Sequence, residues 1–178
     1  TEYCSFTNSS EHEEIKSTIH ALDTKALSEC RDRFTISRTV SDRLFRFNHL
    51  DSTPLYPPPP HAGRYRFEGF SDFLLFAGRL DRLKRVDLLI EALPHAAREV
   101  RLKIAGRGPL ESSLRALAER LGVTSRVDFL GFVSDEDLLT HLATARAAVY
   151  TPVNEDYGYV TLEAFLSGKT LVTTNDTG

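Results

Sequence analysis

The sequence predicts an α/β fold in which a parallel β-sheet carries helices on both faces. From about residue 68 onward, short apolar runs typical of strands alternate with runs whose apolar residues recur at helical spacing. A glycine follows the strand-like runs that end at Ala77, Ala105 and Leu130. Strands and helices that alternate through short glycine turns are typical of a parallel sheet with both faces covered.

The predicted elements of this region follow in strict order. The strand-like runs are Phe73–Ala77, Leu102–Ala105, Val127–Leu130, Ala147–Tyr150 and Thr170–Thr173. The helix-like runs between them are Val86–Leu93, Leu110–Leu121, Asp135–Ala145 and Val160–Ser167.

The first 55 residues have a different pattern. Apolar residues from Ile15 to Cys30 recur at helical spacing, Phe34-Thr35-Ile36 resembles a strand, and Ser37 is a plausible N-cap of a second helix. Residues 56–67 begin with Tyr56 and four prolines, which cannot join a helix or a central strand. We interpret 56–67 as a proline-rich linker between domains 1–55 and 68–178.

Bulk composition excludes some function classes. The net charge of −3 gives no reason to expect binding of nucleic acid through bulk electrostatics, and no apolar run approaches the length of a membrane span. Cys4 and Cys30 are too few for a disulfide scaffold and predict free thiols in a reducing, cytoplasmic compartment. The absence of Met and the end at Gly178, just after a strand-like run, suggest a fragment that is incomplete at its C-terminus.

The carboxyl ends of parallel strands meet at one edge, where such sheets bind ligands. Arg79 and Lys84 follow the first strand of the sheet, and Gly106-Arg107-Gly108-Pro109 follows the second. An arginine, a lysine and a helix N-terminus together offset the charge of a diphosphate without a metal. The sequence therefore predicts an anion site at this edge.

Two glutamates, Glu155 and Glu163, bracket a glycine-containing loop between the fourth strand and its helix. The strand–turn–helix arrangement presents free N–H groups to an anion, whereas carboxylates repel phosphate and instead accept hydrogen bonds from hydroxyl groups. A site for a phosphate and several hydroxyls indicates a nucleotide sugar.

Other chemistry-bearing patterns have structural explanations. In Gly106-Arg107-Gly108 the third glycine of a dinucleotide fingerprint would fall on Glu111, which argues against a nicotinamide-binding dehydrogenase. Gly168-Lys169-Thr170 precedes a strand and lacks the first glycine of a phosphate loop. We interpret Asp135-Glu136-Asp137 as a helix start capped by Ser134 rather than as a metal motif, and the histidines show no metal-ligand spacing.

Four motifs in this order resemble the retaining GT-B glycosyltransferases of family 4, the group 1 glycosyltransferases. The matching segments are Phe76–Lys84, Ile104–Pro109, Leu130–Val133 and Glu155–Ala164, and the resemblance covers about Phe73 to the end. It implies a Rossmann-like C-terminal GT-B domain, truncated here and preceded by the tail of the N-terminal, acceptor-binding domain.

The resemblance also implies roles for individual residues. Arg79 and Lys84 would bind the diphosphate and stabilise the leaving group, with Glu155 holding the donor sugar; these three form the catalytic set. The remaining substrate-binding positions would be Gly78 and Gly106 in the turns after the first two strands, the backbone at Phe132 and Val133 on the base, the backbone N–H groups of Gly158, Tyr159 and Val160 on phosphate, and Glu163 on the ribose.

The family implies transfer with retention of configuration, no metal and no cofactor. The donor would be a UDP-, GDP- or ADP-sugar, and the acceptor a saccharide or lipid-linked molecule bound by the missing domain, with peripheral membrane contact of the longer protein left open. The usual Glu-Gly-Phe-Gly is Glu155-Asp156-Tyr157-Gly158 here, which leaves the donor open. A nucleotide-sugar-binding module without catalysis and a GT-B sugar-nucleotide 2-epimerase are the alternatives.

Overall fold

A computed structural model describes residues 10–175. The chain divides into two compact units, residues 1–57 and 58–178. Cys4 lies outside the described residues, whereas Cys30 is an exposed free cysteine. Among residues 10–175 no helix is both long and apolar enough to cross a membrane.

The first unit contains two helices and a two-stranded parallel sheet. They are α1 (Ser10–Ser28), β1 (Phe34–Thr35), α2 (Arg38–Asn48) and β2 (Thr53–Pro54). The predicted cap is confirmed, because the Ser37 hydroxyl accepts a hydrogen bond of 3.2 Å from the Val40 N–H. Strand β2 was not predicted, since two residues that include a proline carry no periodic pattern.

The second unit contains a five-stranded parallel sheet and four helices in strict alternation. They are β3 (Phe73–Ala77), α3 (Val86–Ala92), β4 (Arg101–Ala105), α4 (Glu111–Arg120), β5 (Val127–Gly131), α5 (Asp135–Thr144), β6 (Ala147–Tyr150), α6 (Tyr159–Leu166) and β7 (Thr170–Thr173). The predicted α/β fold with helices on both faces of a parallel sheet is confirmed.

Side-chain alternation along β3 explains why both faces are covered. Phe76 packs in an apolar cluster with residues of α3 and α4, such as Ile90 and Leu114. Leu75 points to the opposite face and packs in a second cluster with Leu142 of α5. Because successive residues of β3 enter two different cores, the strand has a continuous apolar sequence. This continuous run is the pattern from which the strand was predicted.

The strand order is β5-β4-β3-β6-β7. Strands β4 and β5 lie on one side of β3. Strands β6 and β7, which follow them in the chain, lie on the other side of β3. The order therefore reverses between β3 and β6, whose following loops leave the sheet in different directions. Open α/β sheets bind ligands in the crevice at this kind of switch point.

The loops after β3 and β4 are joined by backbone contacts. The Gly78 N–H donates to the Ala105 carbonyl at 2.9 Å, and the Leu80 N–H donates to the Arg107 carbonyl at 3.0 Å. A Cβ atom at Gly106 would lie 1.9 Å from the Gly78 carbonyl oxygen, so the glycine is required for this close approach.

Candidate functional site: the carboxyl edge between β3 and β6

The loop after β3 carries the predicted cations. Asp81 caps a short 3₁₀ turn, and its carboxylate accepts hydrogen bonds from the N–H groups of Leu83 at 3.0 Å and Lys84 at 3.3 Å. This cap fixes the backbone at Lys84 beside the end of β6. Arg79 points outward, with its side chain 73% exposed, and its nearest ion-pair partner is Asp81 at 3.6 Å.

The structure brings Lys84 and Glu155 together. The Lys84 ammonium contacts Oε2 of Glu155, and both side chains are largely buried, with 22% and 19% of their surface exposed. They come from the loops on the two sides of the strand-order reversal. A cation and a carboxylate predicted separately from the sequence therefore form a pair at the switch point.

Arg85, which the sequence analysis did not single out, joins these same two loops. Its guanidinium donates to the carbonyl oxygens of Thr151 at 2.7 Å and Pro152 at 3.0 Å, and to the hydroxyl of Thr174 at 2.8 Å. In return, the Thr151 hydroxyl lies 3.2 Å from the Lys84 carbonyl oxygen and donates to it. The positions of Lys84 and Glu155 are thus set by a shared hydrogen-bonded framework.

Tyr150, the last residue of β6, is a second residue that the sequence reasoning missed. Its hydroxyl donates to Oε2 of Glu155 at 2.6 Å, and the Lys84 ammonium lies 5.5 Å from its ring centroid. Burial first, and then the hydrogen bond to Glu155, raise the pKa of Tyr150, so the hydroxyl stays protonated. Its terminal position on a strand that ends at this edge was the available signal.

Glu163 lies in α6 and is 8% exposed. Burial raises the pKa of its carboxyl group, while the Tyr65 hydroxyl, 3.3 Å from Oε1, and the charge of His61 oppose the shift. Burial and the charge of Glu163 in turn raise the pKa of Tyr65 to about 12. Within the described part of the chain Tyr65 is the one side-chain donor to this carboxylate, which therefore retains capacity to accept hydrogen bonds from hydroxyl groups.

The start of α6 lies beside Tyr150, which contacts Glu155. Gly158 precedes the helix, and Tyr159 and Val160 are its first two residues, so their N–H groups have no earlier intrahelical carbonyl to bind. A Cβ atom at Gly158 would lie 2.7 Å from Cε1 of Tyr150. The glycine therefore allows the loop to pass against the tyrosine ring.

The remaining predicted residues lie on the neighbouring loops. Gly78 and Gly106 form the locked backbone described above, and Phe132, just after β5, is 77% exposed. Val133 packs against the apolar cluster that contains Leu75. Among these, Phe132 is exposed at the edge, whereas the close packing of Gly106 already accounts for that glycine.

The patterns set aside in the sequence have structural roles. The Ser134 hydroxyl accepts from the Asp137 N–H at 3.1 Å, which confirms the predicted cap. Lys169 is 3% exposed, contacts the Gly69 carbonyl and stacks on Phe67 and Phe70, at the opposite end of β7 from the site. No group of three potential metal ligands occurs among residues 10–175.

The fold and the site thus define a parallel sheet whose switch point carries cations, carboxylates and the first N–H groups of α6 at one edge. Comparison with known proteins identifies the family. Residues 64–178 match the family described as glycosyl transferases group 1. The chain belongs to this family.

Curated relatives and solved structures agree with this assignment. An uncharacterised glycosyltransferase of Methanocaldococcus jannaschii is 38% identical over 101 residues, which cover 56% of this chain and 26% of that protein. Glycogen synthase of Mycobacterium tuberculosis is 30% identical over 172 residues, which cover 88% of this chain and 40% of the relative. The chain thus spans less than half the length of either relative.

The structure of HepE from Anabaena, in complex with UDP and glucose, has a TM-score of 0.77 at 20% identity. The aligned region covers 90% of this chain and 49% of the HepE chain. This likeness shows a shared fold, that of the GT-B glycosyltransferases.

Proposed function

We propose that this chain carries the donor site of a family 4 glycosyltransferase that transfers a sugar from a nucleotide sugar with retention of configuration. The main support for the proposal is the Lys84–Glu155 pair at the strand-order reversal. This pair lies beside the N–H groups at the start of α6, which have no intrahelical acceptor. One edge then offers groups for a phosphate and groups for hydroxyls, which a nucleotide sugar requires together.

In this proposal Arg79, Lys84 and the N–H groups of Gly158, Tyr159 and Val160 bind the diphosphate. Lys84 already contacts Glu155, so it bridges the diphosphate to the carboxylate that holds the sugar. Arg79 is exposed, and its ion-pair partner within residues 10–175 is Asp81 at 3.6 Å, so its side chain is available to reorient toward a phosphate.

Glu163 binds the ribose hydroxyls, and the backbone at Phe132 and Val133 contacts the base. Tyr65 holds one oxygen of Glu163, which orients the carboxylate before the ribose arrives. The cost of burying this carboxylate is visible in its raised pKa, and hydroxyl donors from a ribose would offset that cost.

Bond cleavage transfers negative charge to the leaving diphosphate. Arg79, Lys84 and the start of α6 stabilise that charge electrostatically, without a cofactor or a metal in the proposed mechanism. The acceptor, a saccharide or a lipid-linked molecule, binds to parts of the longer protein. Action in the cytoplasm, with peripheral contact to a membrane, belongs to the same proposal.

A thermal-shift screen of the protein against UDP-, GDP- and ADP-sugars tests the proposal, each with magnesium and with EDTA. We expect one nucleotide class to raise the melting temperature equally under both conditions. A shift seen only with magnesium contradicts metal independence, and no shift with any class contradicts the donor site. Release of free nucleoside diphosphate on incubation with the binding donor then separates a transferase from a binding module.

A further inference from the structure

Tyr150 contacts three parts of the proposed donor site, although the sequence analysis did not single it out. It is 4% exposed at the end of β6. Its hydroxyl binds Glu155, its ring lies under the Lys84 ammonium, and its edge faces the position of a Cβ atom at Gly158. One buried side chain therefore touches both loops that border the crevice.

The two donors to Glu155 use the same carboxylate oxygen. The Lys84 ammonium and the Tyr150 hydroxyl both bind Oε2, and within residues 10–175 no hydrogen bond to Oε1 occurs. A carboxylate with one oxygen held by two donors has a fixed orientation. Its other oxygen remains to accept a hydrogen bond from a ligand.

The contacts also explain why a tyrosine occupies this position. A phenylalanine would fill the same space against Gly158 but would leave Oε2 with Lys84 alone. Lysine is flexible and is also proposed to bind the diphosphate, so it does not fix the carboxylate by itself. The hydroxyl is the second donor, held by a rigid ring on a strand.

We propose that Tyr150 is a positioning residue for donor-sugar recognition. With Lys84 it holds Oε2 of Glu155, so that Glu155 accepts one sugar hydroxyl through Oε1. This inference rests on the proposed donor site and deepens it. A carboxylate that binds a single sugar hydroxyl discriminates against donors in which that hydroxyl is missing or inverted. Tyr150 and Glu155 together would therefore determine which donor sugar binds.

The test compares Tyr150→Phe with the unaltered intact protein by titration with UDP, GDP and ADP, and with UDP-glucose, GDP-mannose and ADP-glucose. For the base class that binds, we expect the Kd of the diphosphate to change by less than about twofold. The Kd of the nucleotide sugar should rise about tenfold, the scale of one charge-assisted hydrogen bond. A purely structural role of Tyr150 would move both constants together.

Tyr65→Phe is the matched control, because it removes the other tyrosine hydroxyl that donates to a site carboxylate. It should raise the Kd of diphosphate and nucleotide sugar by the same factor, since Glu163 is proposed to bind the ribose common to both. Equal changes for both ligands in Tyr150→Phe, or no change for either, overturn the inference while leaving the donor site standing. Failure of the unaltered protein to bind any of the six ligands overturns the proposed function itself.

A second measurement does not depend on the folding of Tyr150→Phe. The unaltered protein and Glu155→Ala are titrated with analogues of the binding donor that each lack one sugar hydroxyl. One hydroxyl whose removal weakens binding to the unaltered protein, but not to Glu155→Ala, supports the inference. Two such hydroxyls, or none, contradict it.

Discussion

The carboxyl group of Glu163 shows the conflict between stability and binding at the scale of one residue. It is buried in α6, and its pKa is raised above the ordinary value of 4.5. Its protonated form therefore contributes stability that is fully present below about pH 4.5 and is lost as the pH rises through the raised pKa. The raised pKa therefore reflects a stability cost of keeping this carboxyl group charged in the fold, and hydrogen-bond donors from a ligand would offset that cost.

Replacement of Glu163 by glutamine should separate these two effects. The amide keeps the acceptor for Tyr65 and removes the charge, so we expect a higher melting temperature at pH 7 than in the unaltered protein. Nucleoside diphosphate affinity should fall about tenfold, because the amide binds hydroxyls less strongly than a carboxylate. A lower melting temperature with unchanged affinity would show that Glu163 is structural.

Arg79 illustrates an exposed residue whose importance depends on the ligand. Because its side chain is 73% exposed, Arg79→Ala should leave the free energy of unfolding nearly unchanged. It should weaken nucleoside diphosphate binding by about 1.5–3 kcal/mol, the contribution of a hydrogen bond to a charged group. Titration calorimetry measures the loss.

Arg82→Ala is the matched control for Arg79→Ala, since it removes the same charge from an exposed position in the adjacent turn. It should leave the affinity within a few tenths of a kcal/mol of the original. Equal losses in the two variants would mean that general charge attraction, rather than a specific contact of Arg79, binds the diphosphate.

Among the elements, the strands and helices from 73 to 173 could be predicted from the sequence to within one or two residues. Strands buried on both faces leave continuous apolar runs, and Ser134 capped α5 as expected. Contacts between distant segments could not be predicted. Tyr65 contacts Glu163, which lies 98 positions later in the sequence. The sequence analysis placed Tyr150 in an apolar strand and did not predict its hydrogen bond to Glu155.

The glycine-locked loops after β3 and β4 position Lys84, so they connect local backbone geometry to the site. We expect Gly106→Ala to destabilise the fold by about 3 kcal/mol or more, because its Cβ would overlap the Gly78 carbonyl. Urea denaturation gives the free energy of unfolding.

Gly122→Ala is the control for Gly106→Ala. Gly122 has a φ of +67° with nothing within 4 Å of an added Cβ atom, so the substitution should cost only the strain of a left-handed residue, about 1–2 kcal/mol. If the two variants were equally stable, the close approach of the loops would not be what requires Gly106.

For the whole molecule, the division between the two units falls between Pro57 and Pro58, whereas the sequence analysis ended the linker at residue 67. In the second unit, Tyr65 packs in the apolar cluster with Leu75, and Arg64 pairs with Glu136 of α5. These contacts predict that the segment after the prolines contributes to the stability of the second unit.

Two truncated chains test this prediction. A chain of residues 58–178 should unfold in one cooperative transition, and a chain of residues 69–178 should be less stable by about 2 kcal/mol, the scale of burying one large side chain. Tyr65→Ala in the longer chain should reproduce most of the loss. Equal urea midpoints for the two truncated chains would make residues 58–68 a linker.

The most direct test of the proposed donor site is an NMR titration of the 20.0 kDa chain with UDP, GDP and ADP, read at the backbone amides. We predict that one nucleotide shifts the amides of residues 78–84 and 158–163, while those at the opposite ends of the strands, such as Arg101 and Thr170, stay in place. Shifts centred on the opposite ends, or no shift with any of the three nucleotides, would contradict a nucleotide site at the β3–β6 switch point.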